Sequence, residues 1–315
     1  CLQMFISHGT TTVRTHVDVD NSSELRGIEA LIKLREAYRE KVNLQVIAFA
    51  SGMVGPMDKG ITRERYETAI RMGADVAGGS PTLSDNPKEH IDVVFKLAME
   101  RDLSIDMHID ESDNPEDQTL ELLAEKTMAE GYQGRVVAGH CCSLAAMDDR
   151  TAGRIIEKVS KANISIITMP FCNLYLQGRK DSQPIRRGIT RVKELEEAGV
   201  NVYCASDNVQ DPFGPYGRAD PLEAVMLTAL AAQWNPNATS KLLEMVTTRP
   251  AKAIGLSKPY GVQVGAQADL LVLNSTQPDK VVIDRPPRLL VFHSGQIVST
   301  GLGSAELGIL EPEIK

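Results

Sequence analysis

Short runs rich in β-branched and small residues recur along the chain, and several end in polar or small residues. They are Val13–Val19, Leu44–Ala50, Ala74–Gly79, Ser104–Asp110, Val136–Cys141, Ser165–Pro170 and Val200–Asp207. Amphipathic stretches separate them: Ser22–Glu40, Arg63–Met72, Lys88–Arg101, Pro115–Glu130 and Gly188–Ala198. Their apolar residues recur at three and four. Ile91, Val94, Phe95 and Ala98 make one face, and Leu120, Leu123, Ala124 and Met128 make another; charged residues fall off both faces. Strands alternating with helices at this spacing predict βαβ units on a parallel sheet. Gly73, Gly131 and Gly199 stand where each helix must close before the next strand.

Seven strands are one short of a (β/α)8 TIM barrel. Residues 1–12 read as a helix end followed by a Gly turn, so the expectation is that the first barrel strand lies upstream of Cys1. On this reading residues 1–255 are a hydrolase barrel holding strands two to eight. After Ala253 the helical period fades and short strands alternate with Gly, Pro and Asn turns. Residues 256–315 are therefore expected to be the C-terminal part of a small β-sandwich appendage.

Composition narrows the class. Of 315 residues, 34 are Lys or Arg and 42 are Asp or Glu, a net charge of −8 with no basic cluster. Phosphate recognition needs the opposite balance, so no nucleic-acid partner is expected. No apolar run reaches the roughly 20 residues of a membrane helix, so no membrane partner is expected either. Aromatic residues make only 4%, and the core must be aliphatic. Five cysteines without framework spacing read as reduced thiols in the cytoplasm. The opening CLQMFISHG has neither the charged nor the apolar region of a signal peptide. Self-association into a homo-oligomer is expected.

In a parallel barrel the catalytic groups stand at the C-terminal strand ends. Those ends carry His16 and Asp18, then Ser51, then His108, Asp110 and Glu111, then His140, then Asp207 and Asn208. Any one of these has a plain structural reading, a hydrogen-bonded core histidine or a capping Asp. For His16 the neighbours Asp18 and Asp20 are candidate partners or loop caps. Together, His108, His140 and Asp207 offer imidazole and carboxylate from three strands to one mouth, a ligand set for Zn2+ or Fe2+ with an open position. Such a metal would make hydroxide available near neutral pH. Glu111, three residues after His108, can reach the attacking water without being a ligand. Asp110 competes for that role, because in a continuing strand it would share the face of His108. Cys141 and Cys142 read as packing.

The stretches VRTHVDV (13–19), AFASG (48–52), HIDES (108–112), GHCC (139–142), NLYLQGRKDSQPIRRGITRVKELEEAGVNV (173–202) and SDNVQDPFGPYG (206–217) resemble the amidohydrolase superfamily, and within it the cytosine deaminase group. The likeness covers nearly the whole chain, and its LQGR…RRGITRVKE stretch is long and specific. It implies a mononuclear metal barrel with a β-sandwich built from both chain ends. It assigns metal ligation to His108 and Asp207, proton shuttling to Glu111, and orientation of the attacking water to His140. The family also carries a His-x-His pair on its first strand, which this sequence does not contain. Where cytosine deaminases place a glutamine after strand three, this chain reads Phe49-Ala50-Ser51-Gly52. Asn208 stands where they carry a second aspartate, and Phe213 where they carry a tryptophan.

The implied activity is metal-dependent hydrolytic deamination of a small N-heterocycle, a cytosine-like aminopyrimidine or related ring, with release of ammonia. Asn208, Phe213 and Ser51 are the candidate ring contacts. Two alternatives remain: another C–N hydrolysis on this scaffold, such as alkylaminotriazine or cyclic amide hydrolysis, and an inert barrel lacking the first-strand ligands. The related group that removes alkylamino groups lacks the glutamate retained here as Glu111, which favours a deaminase.

Overall fold

The computed structural model describes residues 1–20, 23–51, 61–256 and 259–302. Seven strands form one parallel sheet in chain order: β1 Thr12–Asp18, β2 Asn43–Ala50, β3 Val76–Gly79, β4 Ser104–Ile109, β5 Val136–His140, β6 Ser165–Thr168 and β7 Val202–Cys204. The sheet curls into an incomplete barrel. Arg14 of β1 reaches Asp106 of β4 at 3.2 Å, although two strands lie between them. Such contact is possible only across a concave face.

Strand alternation sorts the two faces. Ile105, Met107 and Ile109 point outward and are fully buried under the helices, each contributing about 1.5–3 kcal/mol by leaving water. Asp106 and His108, on the alternate positions, face the lumen. Val137, Ile167, Met169 and Tyr203 form a second, smaller apolar cluster. The outer helices follow the expected faces. Asp148 caps the helix Asp149–Lys161 by accepting from Arg150 N and Thr151 N, and the helix buries Ala152, Ile155, Ile156 and Val159. Asn86 caps Pro87–Glu100, which buries Ile91, Val94, Phe95 and Ala98. Gly131 (φ +65°) and Gly199 (φ +79°) close their helices in the left-handed region, as their positions predict.

Two helices are shorter than their periodicity suggests. The 115–130 stretch is helical only over Thr119–Ala129, and the 188–198 stretch only over Val192–Glu197. In both, the preceding residues are held in loops at the barrel mouth. Beyond the barrel, β8 Leu270–Leu273, β9 Arg288–His293 and β10 Gln296–Thr300 form an antiparallel sheet in the order β10-β9-β8. Ser294 and Gly295, both at positive φ, make the tight turn between β9 and β10. The opening helix Leu2–Ser7 lies against β9 and β10. Residues 303–315 of the expected appendage lie outside the described residues. Among the described residues no helix is long and apolar enough to cross a membrane.

Candidate active site

Four residues at the strand ends break the regular alternation. Asp110 (φ +49°), His140 (φ +67°), Cys141 (φ +52°) and Asp207 (φ +62°) all take the left-handed conformation without being glycine. Such backbone costs of order 1–3 kcal/mol per residue and concentrates at functional sites. Its effect here is to re-aim side chains. His140 is the last residue of β5, and its neighbours Val136 and Ala138 pack in the outer core. Its ring nevertheless sits 4.5 Å from that of His108. Gly139 keeps the space open, since a Cβ there would lie 2.8 Å from Met169 Cε and 3.7 Å from His108 Cδ2.

Ligand atoms of His108, His140 and Asp207 lie within 4.8 Å of one another. His140 Nε2 is 3.9 Å from Asp207 Oδ2, and its Nδ1 is 3.2 Å from Glu111 Oε1. Burial pushes His140 down to about 4 against the opposing pull of Asp207, so the ring is neutral at pH 7. Burial also holds His108 well below the ordinary imidazole value, with His16 and His140 adding to the effect. Burial, reinforced by Asp207, raises Glu111 to about 8. That places its carboxyl where it can both accept and donate a proton near neutral pH.

The geometry separates Asp110 from Glu111. β4 ends at Ile109, and the left-handed turn at Asp110 sends the two carboxylates to different places. Asp110 is buried and accepts from Thr119 N at 3.0 Å, Leu120 N at 2.9 Å, Thr119 Oγ1 at 2.5 Å and Thr82 Oγ1 at 3.2 Å. It caps the helix Thr119–Ala129 from a distance. Glu111 faces the mouth beside His140.

Asn173 is the residue that pattern reading passed over. It is fully buried in the first turn of the helix Pro170–Leu176, just past β6. Its Nδ2 donates to His140 Nδ1 at 2.9 Å and to Glu111 Oε1 at 3.3 Å. Its one sequence signal was its place in the segment that follows the end of β6, at the face where Asp207 follows β7.

The remaining candidates make contacts of their own. Ser51 is buried and its hydroxyl has no partner among the described residues. Asn208 is held inside its loop: its amide donates to Asp211, and its Oδ1 receives the Cys172 thiol at 4.0 Å. Asp211 also accepts from Phe213 N, and the Phe213 side chain stands 56% exposed. His16 finds its partner in neither Asp18 nor Asp20. Its Nε2 lies 3.4 Å from Asp106 Oδ1, and its ring 4.3 Å from that of His108. Asp20 instead accepts from Ser23 N as a loop cap. Cys141 and Cys142 are buried, with burial pushing both thiols up, which fits packing.

A divalent cation fits this cluster. Nε2 of His108 and of His140 are buried and have no hydrogen-bond partner among the described residues, and leaving such groups unsatisfied is costly. The His108 imidazole and the Asp207 carboxylate, with the His140 ring beside them, suit zinc or ferrous iron rather than magnesium or calcium.

Residues 2–299 match the family model described as the amidohydrolase family. The chain belongs to the amidohydrolase family. Within the superfamily it is deaminase-like, and as an amidohydrolase it is an enzyme of non-peptide C–N bonds. It is similar to a pterin deaminase of Rhizobium rhizogenes, 32% identical over 96% of this chain and 68% of the relative. It is 31% identical to N-isopropylammelide isopropyl amidohydrolase of a Pseudomonas species, over 94% of this chain and 70% of that one. A solved structure of 5-methylcytosine deaminase from Klebsiella pneumoniae, liganded with 5-fluorocytosine, superposes with a TM-score of 0.90 at 31% identity. It covers 96% of this amidohydrolase and 74% of the Klebsiella chain. The barrel expected from strand periodicity is therefore the family fold.

Proposed function

We propose that this amidohydrolase hydrolytically deaminates a small amino-substituted N-heterocycle. The observation that carries the reading is Glu111, turned back over the mouth to within 3.2 Å of His140 and raised toward neutrality beside Asp207. His108 and Asp207 are the side chains this chain would offer a divalent ion, zinc or ferrous iron. When bound, the ion supplies Lewis-acid activation of water near neutral pH.

The chain's own groups do the rest. Glu111 takes a proton from the attacking water and passes it to the ring nitrogen next to the amino-bearing carbon. It then takes the remaining proton from the hydroxyl added to the ring carbon and delivers it to the amino group, so that the C–N bond breaks, ammonia leaves and the carbon is left as a carbonyl. His140 is neutral and orients the water, while Asn173 holds its Nδ1 so that Nε2 faces Asp207. The desolvation that raises Glu111 also keeps bulk water from competing for the proton. Ser51, Asn208 and Phe213 are proposed around the ring. Ser51 leads, because its buried hydroxyl has no partner among the described residues.

Three relatives bear on the substrate: one named for pterin, one for a methylcytosine and one for an alkylamino triazine. A substituted pyrimidine ring with an exocyclic amino group is common to the first two. Retention of Glu111 favours loss of ammonia over loss of an alkylamine. The test is ammonia release by the full-length, metal-loaded protein from pterin, cytosine, 5-methylcytosine and N-isopropylammelide. Ammonia from an aminopyrimidine or pterin supports the proposal. Isopropylamine from the last compound, with no ammonia from the others, replaces it with alkylamine hydrolysis.

A further inference from the structure

The stretch from Leu176 to Gly188 is the most specific in the sequence, yet none of its side chains joins the cluster around His140. Its contacts lead to the loop that carries Glu111. Gly178 N donates to Asp113 Oδ2 at 2.8 Å. Arg186 Nη1 donates to the backbone carbonyl of Asp113 at 2.6 Å. Arg186 is itself held by Asp181 through Nε to Oδ2 at 2.8 Å, Nη2 to Oδ1 at 2.5 Å, and backbone N to Oδ2 at 3.0 Å. Two donors from one loop thus grip one residue of another, two positions beyond Glu111.

The glycines of this stretch are required by the same geometry. Gly178 has φ +74°, and a Cβ on it would lie 3.1 Å from the Arg186 carbonyl oxygen. Gly188 has φ +77°, and a Cβ there would lie 2.7 Å from the carbonyl oxygen of Asn173. Gly188 thus passes close against the Asn173 carbonyl, and Gln177 N donates to that same oxygen at 3.0 Å, which ties the stretch to the helix that presents Asn173. One continuous segment therefore fixes both neighbours of the Glu111 carboxylate: its own loop through Asp113, and Asn173.

We propose that Arg186 and Asp113, with Asp181 as brace, form a clasp that positions Glu111 for proton transfer. Partly exposed ion pairs such as Arg186 with Asp113 and Asp181 contribute little to overall stability. What they fix here is geometry. The loop 111–118 contains no helix or strand, so its shape depends on such contacts. A displacement of about 1 Å in a reacting group is enough to cost roughly 100-fold in rate. The role assigned to Glu111 is the one proposed above, and the inference rests on it.

The experiment compares Arg186→Gln, Asp113→Leu and Asp113→Asn with the full-length wild-type protein. Hydrogen exchange of the amides of residues 111–117, read without substrate, tests the clasp itself. Arg186→Gln and Asp113→Leu should speed exchange there about tenfold or more, with the helix Asp149–Lys161 unchanged. Asp113→Asn keeps an acceptor for Gly178 N and should exchange like wild type. Ammonia release from the best of the four compounds above, per bound metal, tests the link to Glu111. There kcat should fall about 10–100-fold in the first two variants, with KM within twofold, and recover in Asp113→Asn. Unchanged exchange over 111–117 overturns the clasp. Faster exchange with unchanged kcat overturns its link to Glu111. If wild type releases no ammonia from any of the four, the functional reading falls while the exchange result stands on its own. Should Arg186→Gln fail to fold, the contrast between the two Asp113 variants decides between the same outcomes.

Discussion

Asn173 and His140 share a hydrogen bond of 2.9 Å, from Nδ2 of the amide to Nδ1 of the ring, and this bond sets which imidazole nitrogen faces Asp207. With Nδ1 accepting, the proton sits on Nε2, toward the carboxylate 3.9 Å away. The same amide donates to Glu111. One buried side chain thus orders two of the groups assigned to water and proton handling.

Asn173→Ala should lower kcat about 10–100-fold, the range for removing an orienting partner of a functional histidine, with KM little changed. Asn173→Asp is nearly isosteric but does not donate when ionised, and it should lose at least as much. Steady-state ammonia release, normalised to bound metal, reads both. A wild-type-like Asp variant would show that the donor is irrelevant.

Asp110 is predicted to matter for stability. Asp110→Ala leaves Thr119 N and Leu120 N without their acceptor and should cost about 1–3 kcal/mol in urea unfolding. Burial raises the folded-state value of Asp110 to about 6, above the ordinary 3.8. The folded form therefore binds more protons than the unfolded between those values. Its contribution is full below about pH 4 and is lost as pH rises through about 6. Asp110→Asn should remove that slope. An unchanged urea midpoint in Asp110→Ala would refute the capping role.

Two glycines should respond in opposite directions. A Cβ on Gly78 would lie 2.4 Å from the backbone oxygen of Asp106 and 2.6 Å from Ile47 Cγ2. Backbone cannot yield cheaply, so Gly78→Ala should cost about 1–3 kcal/mol. Gly153 is exposed in the helix Asp149–Lys161 with nothing within 4 Å of its Cβ position. Gly153→Ala should gain about 0.5–1 kcal/mol. Thermal melts of the pair check the packing between β3 and β4.

The barrel was legible because a buried parallel strand is written as a compact β-branched run, as in Leu44–Ala50, and its helices as three-four patterns, as in Lys88–Arg101. His108, Glu111, His140 and Asp207 could be gathered as candidates because the fold puts chemistry at strand ends, and the structure brings them together. The direction of each side chain was not. Period-two reasoning groups Asp110 with His108, and only the left-handed turn after Ile109 sends Asp110 to a helix terminus and Glu111 to the mouth. Positive φ at three non-glycine strand ends is imposed by tertiary packing, and local preference does not announce it. Asn173 stayed hidden because an Asn in the first turn of a helix reads as an ordinary cap. The helix Val192–Glu197 starts later than its periodicity suggests, and the residue before it, Arg191, is drawn to the backbone carbonyls of Leu144 and Met147.

The central claim is that Glu111 carries the protons of a hydrolytic deamination, and Glu111→Gln in the full-length protein tests it most directly. The amide keeps the shape of the carboxylate and cannot cycle a proton. Ammonia release should fall at least about 10²–10⁴-fold, with bound metal and substrate affinity close to wild type, while Asp110→Asn keeps its turnover. Wild-type kcat in Glu111→Gln, with collapse in Asp110→Asn, would contradict the account and move the proton shuttle to Asp110.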